Sequence, residues 1–381
     1  MYHHLKRINC EALNKLNQLA RVVLAFGLEC ETASPKDQVR TEFIEYCRNH
    51  GFPNAGAWLW RKNSISKPLY ALAQLPVAEK QAILPAYDAD TDLDAAFRRG
   101  QFAYFSIPAD NKPALKHVSN IMLSFYSNIL SKKVDADVLN DPEDLSRQTI
   151  LRAFIVEQQS IHMMVCPGCD GAPPEQEADG VIREDVDHFF PKSRYPFLTI
   201  HPLNLTPYCK HCNQDYKKAK DPLKSRNGVP TLSLRDIFHP YIHSVQNAEK
   251  ISEVQVLIQR DRAGVPHIKI NTINNDAYCT SRRKSLDHLL SLQTRWDGAM
   301  AAKQTTKSIN QMFVLLARKA GNHFIPNDGW LLENLPDIEA TIYDGIGECE
   351  RNVAAHAYVQ WMRTDPRVQA EWLEKLRMYV S

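Results

Sequence analysis

The sequence predicts a mainly α protein carrying a small α+β insert stapled by four cysteines, and three observations predict it. Apolar residues recur at helical spacing on both flanks, two Cys-x-x-Cys pairs mark the centre, and period-two alternation is confined to one short stretch near residues 254–270. The chain's 381 residues suffice for two or three domains with their own cores. With 44% hydrophobic and 24% charged residues, 14 Gly and 22 Pro, the composition excludes collagen-like, disordered and coiled-coil classes. Lys plus Arg number 46 against 44 Asp plus Glu, a formal net charge of +2, so any affinity for polyanions must come from a local patch.

In chain order, Ser34-Pro35 reads as a helix start, and Val39, Phe43, Ile44 and Cys47 then share one face until His50-Gly51 closes the segment. Asp141-Pro142 repeats that signal and opens a helix carrying Leu151, Phe154 and Ile155 to about Ile161. Further on, Val254, Val256 and Ile258 alternate with Gln255, Leu257 and Gln259, and Asp261-Arg262-Ala263-Gly264 turns the chain into His267-Ile268-Lys269-Ile270, a β-hairpin. Helices resume with Leu286, Leu289, Leu290, Trp296 and Met300, then with Ile309, Met312, Phe313 and Leu316 before Gly321, and finally at Asp365-Pro366 with Val368, Trp372 and Leu376. These stripes read as core. Three regions follow: a helical N-terminal domain over 1–145, a central domain over 146–230, and a C-terminal domain over 231–381 that is hairpin then helices. No apolar stretch approaches the roughly 18 residues of a membrane span. The first residues lack the pattern of a secretory signal, so the expectation is a cytoplasmic protein with reduced cysteines and no membrane partner.

Of nine cysteines, four form the pairs Cys166/Cys169 and Cys209/Cys212. Each Cys-x-x-Cys makes a knuckle offering two thiolates, and two knuckles complete the tetrahedral sulfur shell of a structural Zn²⁺. The long stretch from Asp170 to Tyr208 is then an inserted element whose ends the zinc staples. A dithiol-exchange role for Cys166-Pro167-Gly168-Cys169 fits less well, because such motifs follow a strand in a βαβ context and need no second pair. His211, inside the second knuckle, reads as a bystander.

Within the insert stands Asp185-Val186-Asp187-His188-Phe189-Phe190-Pro191-Lys192-Ser193, and beyond it His201-Pro202-Leu203-Asn204-Leu205-Thr206-Pro207-Tyr208-Cys209-Lys210-His211-Cys212-Asn213. An Asp-His pair with a following Pro, a central Asn before an apolar residue, and a Cys-x-x-Cys-Asn run with Lys217 beyond resemble the HNH endonuclease family. The resemblance extends from Cys166 to about Lys220 and implies a ββα-metal module, a two-stranded hairpin joined to a helix across one divalent ion. It implies His188 as general base, Asp187 and Asn213 as ligands of a catalytic Mg²⁺ or Mn²⁺, and Asn204 as the residue that pins the connecting loop and helps fix the base. It also implies hydrolysis of DNA to a 5′-phosphate and a 3′-hydroxyl. Antiviral defence or mobile elements are the setting that bacterial members commonly have, and no residue of this chain bears on that.

The chemistry is consistent with these residue types. Phosphodiester hydrolysis needs a base for water, a cation for the developing phosphorane charge and stabilisation of the leaving oxygen, and neutral imidazole with hard oxygen ligands suits those tasks. Neighbouring residues of a regular strand point to opposite faces, so Asp187 and His188 can serve one phosphate only where the strand bends or ends. His201 reads as a packing imidazole. Lys192, near the base, can steer substrate. From Leu205 to Arg226 six basic residues stand against two acidic ones, and Lys210, Lys217, Lys218 and Lys220 are candidates to grip a phosphate backbone without reading sequence. The rival reading is a zinc-ribbon module that binds nucleic acid or protein and leaves the Asp-His pair idle. The large motif-free flanks leave room for a regulatory protein partner or self-association.

Overall fold

The computed structural model describes residues 3, 5–30, 34–171, 186–224, 232–242, 254–272, 277–296, 299–321, 324–346 and 352–380, with side chains at all of these except 254, 299–304 and 379–380. Asp185, Arg226, Cys349 and the side chain of Met300 lie outside the described residues. The architecture is mostly helical with two small antiparallel sheets. No helix among the described residues is long and apolar enough to cross a membrane.

In the N-terminal region, helix Glu11–Glu29 presents Leu13, Leu16, Leu19, Val23 and Leu24 inward and packs on helix Asn63–Ala73. Helix Lys36–Asn49 buries Val39, Phe43 and Cys47 and stops at Gly51, whose φ of 89° supplies the left-handed residue that closes it. One charged group sits deep in this layer. The Lys80 ammonium donates to the carbonyls of Gly27 (3.1 Å), Cys30 (2.7 Å), Leu72 (3.4 Å) and Ala73 (3.3 Å), capping the C-terminal ends of two helices at once. Lys80→Met keeps the aliphatic volume and removes the shared donor of these carbonyls, of which Leu72 O keeps the Leu75 N–H (3.2 Å), so thermal denaturation should show a loss of about 3 kcal/mol; an unchanged melting temperature would deny the ammonium this role.

The helix expected from Asp141-Pro142 begins later, at Arg147, and runs to Gln159. Asp141 turns the chain locally by accepting from the Glu143 N–H (3.0 Å), whereas the Ser146 hydroxyl accepts from Thr149 N (3.1 Å) and is the true cap. Helix Lys112–Ser124 continues into a wider π-type segment, Phe125–Leu130.

Beyond the centre, β3 (Val254–Arg260) pairs with β4 (Pro266–Thr272), Val256 opposite Ile270 and Ile258 opposite Ile268, as the alternation predicts. Asp261 accepts from Ala263 N and Val265 N, and Gly264, at φ 81°, completes the turn. The apolar stripe from Leu286 to Trp296 is not one helix. Ala277–Leu290 ends at Ser291 (φ 51°), and Asp287 accepts from Gln293 N (2.9 Å) at the start of the short helix Leu292–Trp296. Ala299–Ala320 buries Ile309 and Phe313, and Pro366–Val380 buries Val368, Trp372 and Leu376 after Asp365 caps its first turn.

Two apolar clusters result. One gathers the N-terminal helices, the other the cysteine knuckles, the hairpin and the C-terminal helices. The segment from Val186 to Tyr208 lies at their seam: Val186, Phe197, Ile200 and Leu205 enter the first cluster, while Phe189, Phe190, Tyr195, Leu198 and Tyr208 enter the second. Within it β1 (Asp187–His188) pairs with β2 (Leu205–Thr206), Asp187 opposite Thr206 and His188 opposite Leu205.

Candidate functional site

The two knuckles fold as their spacing dictates. Asp170 N donates to Cys166 O (2.9 Å), closing the first around Gly168 and placing Asp170 at φ 56°. A Cβ on Gly168 would meet the Tyr208 ring at 3.0 Å and Leu290 at 3.2 Å, so a larger residue there must push both side chains back by a few tenths of an ångström. In the second knuckle Cys212 N donates to Cys209 Sγ (3.5 Å), and Cys209 N reaches across to Cys166 Sγ (3.3 Å). All four sulfurs lie within 4.8 Å of one another, with Cys166 and Cys212 at 3.9 Å and Cys169 and Cys209 at 3.8 Å. Tetrahedral Zn–S bonds of about 2.3 Å require sulfurs about 3.8 Å apart, so this cage can hold a metal ion such as zinc. Contact with the thiols of Cys166, Cys209 and Cys212 holds the Cys169 thiol well below its ordinary range, and the Arg295 guanidinium donates to Cys212 Sγ (3.4 Å).

The first knuckle is also a junction. Its Asp170, fully buried, pairs with His3 (2.8 Å) through one carboxylate oxygen and accepts from Val353 N (3.2 Å) through the other. His3 N adds a bond to Pro167 O (3.1 Å). Nothing in the motif announces these partners. His211 stands aside from the sulfurs, exposed and paired with Asp215.

A second constellation forms where β1 ends. The strand is two residues long and bends at once, the irregularity that the adjacency of Asp187 and His188 requires. His188 is 6% and Asp187 9% exposed. The His188 Nε2 lies 2.8 Å from Thr199 O, and a carbonyl only accepts, so the proton is on Nε2 and the lone pair on Nδ1. Burial, aided by the charges of Lys192, Lys217 and Arg147, pushes this imidazole down to about 3 and keeps it neutral. Burial pushes the Asp187 carboxyl up, against the pull of Lys217.

Asn204, fully buried, ties the connecting loop together. Its Nδ2 donates to Phe190 O (3.1 Å) and Leu198 O (2.9 Å), and its Oδ1 accepts from Phe190 N (2.7 Å). Leu198 adjoins Thr199, so the residue that clasps the loop also steadies the carbonyl holding the base. His201 caps the turn before it, its Nδ1 accepting from Leu203 N (3.3 Å).

The lysine run departs from the sequence expectation. His211–Lys217 is a π-type turn, with Lys218 N bonded to Asn213 O (2.8 Å), and this wider turn carries Lys217 inward instead of leaving it on a solvated face. At 1% exposure its ammonium lies 2.9 Å from Asp187 Oδ2 and donates to His188 O. Lys220 is half-buried and donates to His288 O (3.0 Å) and Leu289 O (3.2 Å), holding the C-terminal region. Lys210 and Lys218 remain exposed. Asn213 bonds Cys209 and Lys218 through its backbone, and Lys217, one turn on, is the residue that reaches Asp187.

Sequence reasoning missed the contribution of the N-terminal helices. The Tyr126 ring, from the π-type segment, meets the His188 ring edge-on at 4.4 Å, with Lys192 Nζ at 3.9 Å and the Arg147 guanidinium at 5.7 Å from its centroid. Only spatial proximity, invisible in a single sequence, unites them. Compared with family models, with curated proteins and with solved structures, the chain finds no match.

Proposed function

We propose that this protein is an HNH endonuclease that hydrolyses phosphodiester bonds, with DNA as substrate and His188 as its general base. The observation that carries this reading is the state of His188: neutral, oriented by the Thr199 carbonyl, with Nδ1 bearing the lone pair, beside a carboxylate that faces a cation. Nδ1 takes the proton of the attacking water. Asn204 holds the loop so that the imidazole keeps its aim, and the four cysteines hold a structural zinc that fixes the start of the following turn. Asp187 and Asn213 offer the hard oxygens that suit Mg²⁺ or Mn²⁺, an ion that would neutralise the phosphorane and the leaving oxygen. The DNA substrate and the 5′-phosphate product follow from the resemblance.

The Lys217 ammonium between Asp187 and the His188 carbonyl favours a second reading, in which this fixed charge serves as the cation there. One experiment addresses both. Supercoiled plasmid incubated with the protein in Mg²⁺ or Mn²⁺ should be nicked or linearised, and His188→Ala with its zinc retained should lose at least about 100-fold in rate. Cleavage that persists in a chelator with the structural zinc intact would select the Lys217 reading. No cleavage by the wild type, zinc in place, would turn the assignment to a zinc-ribbon binding module.

A further inference from the structure

The lysines that the sequence offers for gripping a phosphate backbone are partly consumed inside the fold, which raises the question of what else could hold a polyanion near His188. A trough of about 510 Å³ runs between the helix starting at Asn63 and the helix that continues through Ser127 and Asn128. Lys67, His117, Asn63, Asn120, Ser127 and Asn128 are among its lining residues, and no Asp or Glu lines it. In a chain with 44 acidic residues, a cleft walled by one lysine, a histidine, amides, hydroxyls and a few apolar groups, with no carboxylate, favours anions over cations. Lysine, serine and asparagine are the side chains that grip sugar and phosphate without reading bases.

The trough adjoins the segment that touches the base. Its lining residues Ser127 and Asn128 directly follow Tyr126 in the π-type segment, and the Tyr126 ring touches His188 and carries Lys192 and Arg147 over it. Such π-type segments recur at functional sites because the wider turn re-aims side chains. Here it turns Tyr126 inward to His188 and leaves Ser127 and Asn128 exposed toward the trough.

We propose that the N-terminal helical region is the substrate-binding surface, a donor-lined trough including Lys67, His117 and Ser127 that seats the sugar–phosphate backbone of a nucleic acid whose continuation passes Arg147 and Lys192 to His188. The inference rests on the nuclease reading for its destination, while the trough itself is testable without cleavage. Binding of a short fluorescent DNA duplex is measured by anisotropy in the His188→Ala background, with Lys67→Glu and Asn120→Asp placing negative charge at two exposed positions of the trough. Lys36→Glu, exposed on another helix, is the matched control, and zinc content and melting temperature verify each fold.

The trough variants should each weaken binding by about five- to tenfold at low salt, and Lys67→Glu should flatten the salt dependence by about one counterion, while the control stays within about twofold. Parental binding by both variants, an equal loss in the control, or no binding by the parent protein would each overturn the proposal. A short RNA tested alongside identifies which polymer supplies the backbone. A chain that cuts plasmid yet ignores both trough substitutions loses only this surface; one that binds through the trough and never cuts loses only the nuclease assignment.

Discussion

Replacing Cys212 with serine, or stripping the metal with a strong chelator, is expected to abolish cooperative folding of the central and C-terminal regions. Cys212 is fully buried in the cluster that also contains Tyr208, Leu290 and the β3–β4 hairpin, so losing its ligand bond leaves a polar hydroxyl against apolar neighbours and opens the cage. Structural zinc contributes on the order of 10 kcal/mol in small zinc-folded peptides, a large share of the roughly 5–15 kcal/mol that stabilises a typical domain. The purified wild type should release one zinc per chain on thiol modification. Cys212→Ser should melt well below it, whereas Cys30→Ser, outside the cage, should not. A wild type containing no metal, or a Cys212→Ser protein melting within a degree or two of it, would show that the four sulfurs hold nothing.

Asn204→Ala should rank next in effect, and it should lower stability and cleavage together. Removing the carboxamide orphans two buried groups, the Phe190 N–H and the Phe190 carbonyl, at about 1–2 kcal/mol each, while Leu198 O keeps only the His201 N–H. The loop then loses the clasp that steadies Thr199, and with it the acceptor for His188 Nε2. We expect a loss of about 2–4 kcal/mol in denaturant unfolding and, in the folded fraction, a cleavage rate at least about tenfold lower. Asn204→Asp, which keeps an acceptor for Phe190 N and loses the donors, should fall between. Full cleavage by a destabilised Asn204→Ala protein would separate the clasp from the base and limit Asn204 to a folding role.

Local chemistry explains what could be read in advance. Cysteine spacing specified both knuckles, the turn residues Asp261 and Gly264 specified the hairpin, and Asp365-Pro366 specified the last helix, because each acts within a few residues of itself. Asp141-Pro142 shows the limit of that logic, since Ser146 offered an equally good cap and won. The surroundings of the candidate base were illegible for a different reason. Tyr126 and Arg147 act on His188 only because the N-terminal helices pack against its segment, and Lys217 turned inward because a π-type turn, not an α-helix, followed the knuckle. Lys80 was equally silent. Its four carbonyl partners come from helix ends that meet only in the folded layer.

The junction at Asp170 bears on the order in which the molecule is made. Its carboxylate needs a partner 167 residues earlier and another 183 residues later, and both contacts are buried. On the ribosome the first knuckle is synthesised with His3 already available, but the amide of Val353 is still to come, so one carboxylate oxygen waits while 183 further residues are added. At roughly 5–20 residues per second that interval lasts on the order of ten seconds or more. During it the carboxylate beside the thiols lacks one of its two partners, and the docking of the helix that carries Val353 becomes the event that completes the first knuckle's setting. A truncated chain that ends before Val353 carries its cysteines in an unfinished setting.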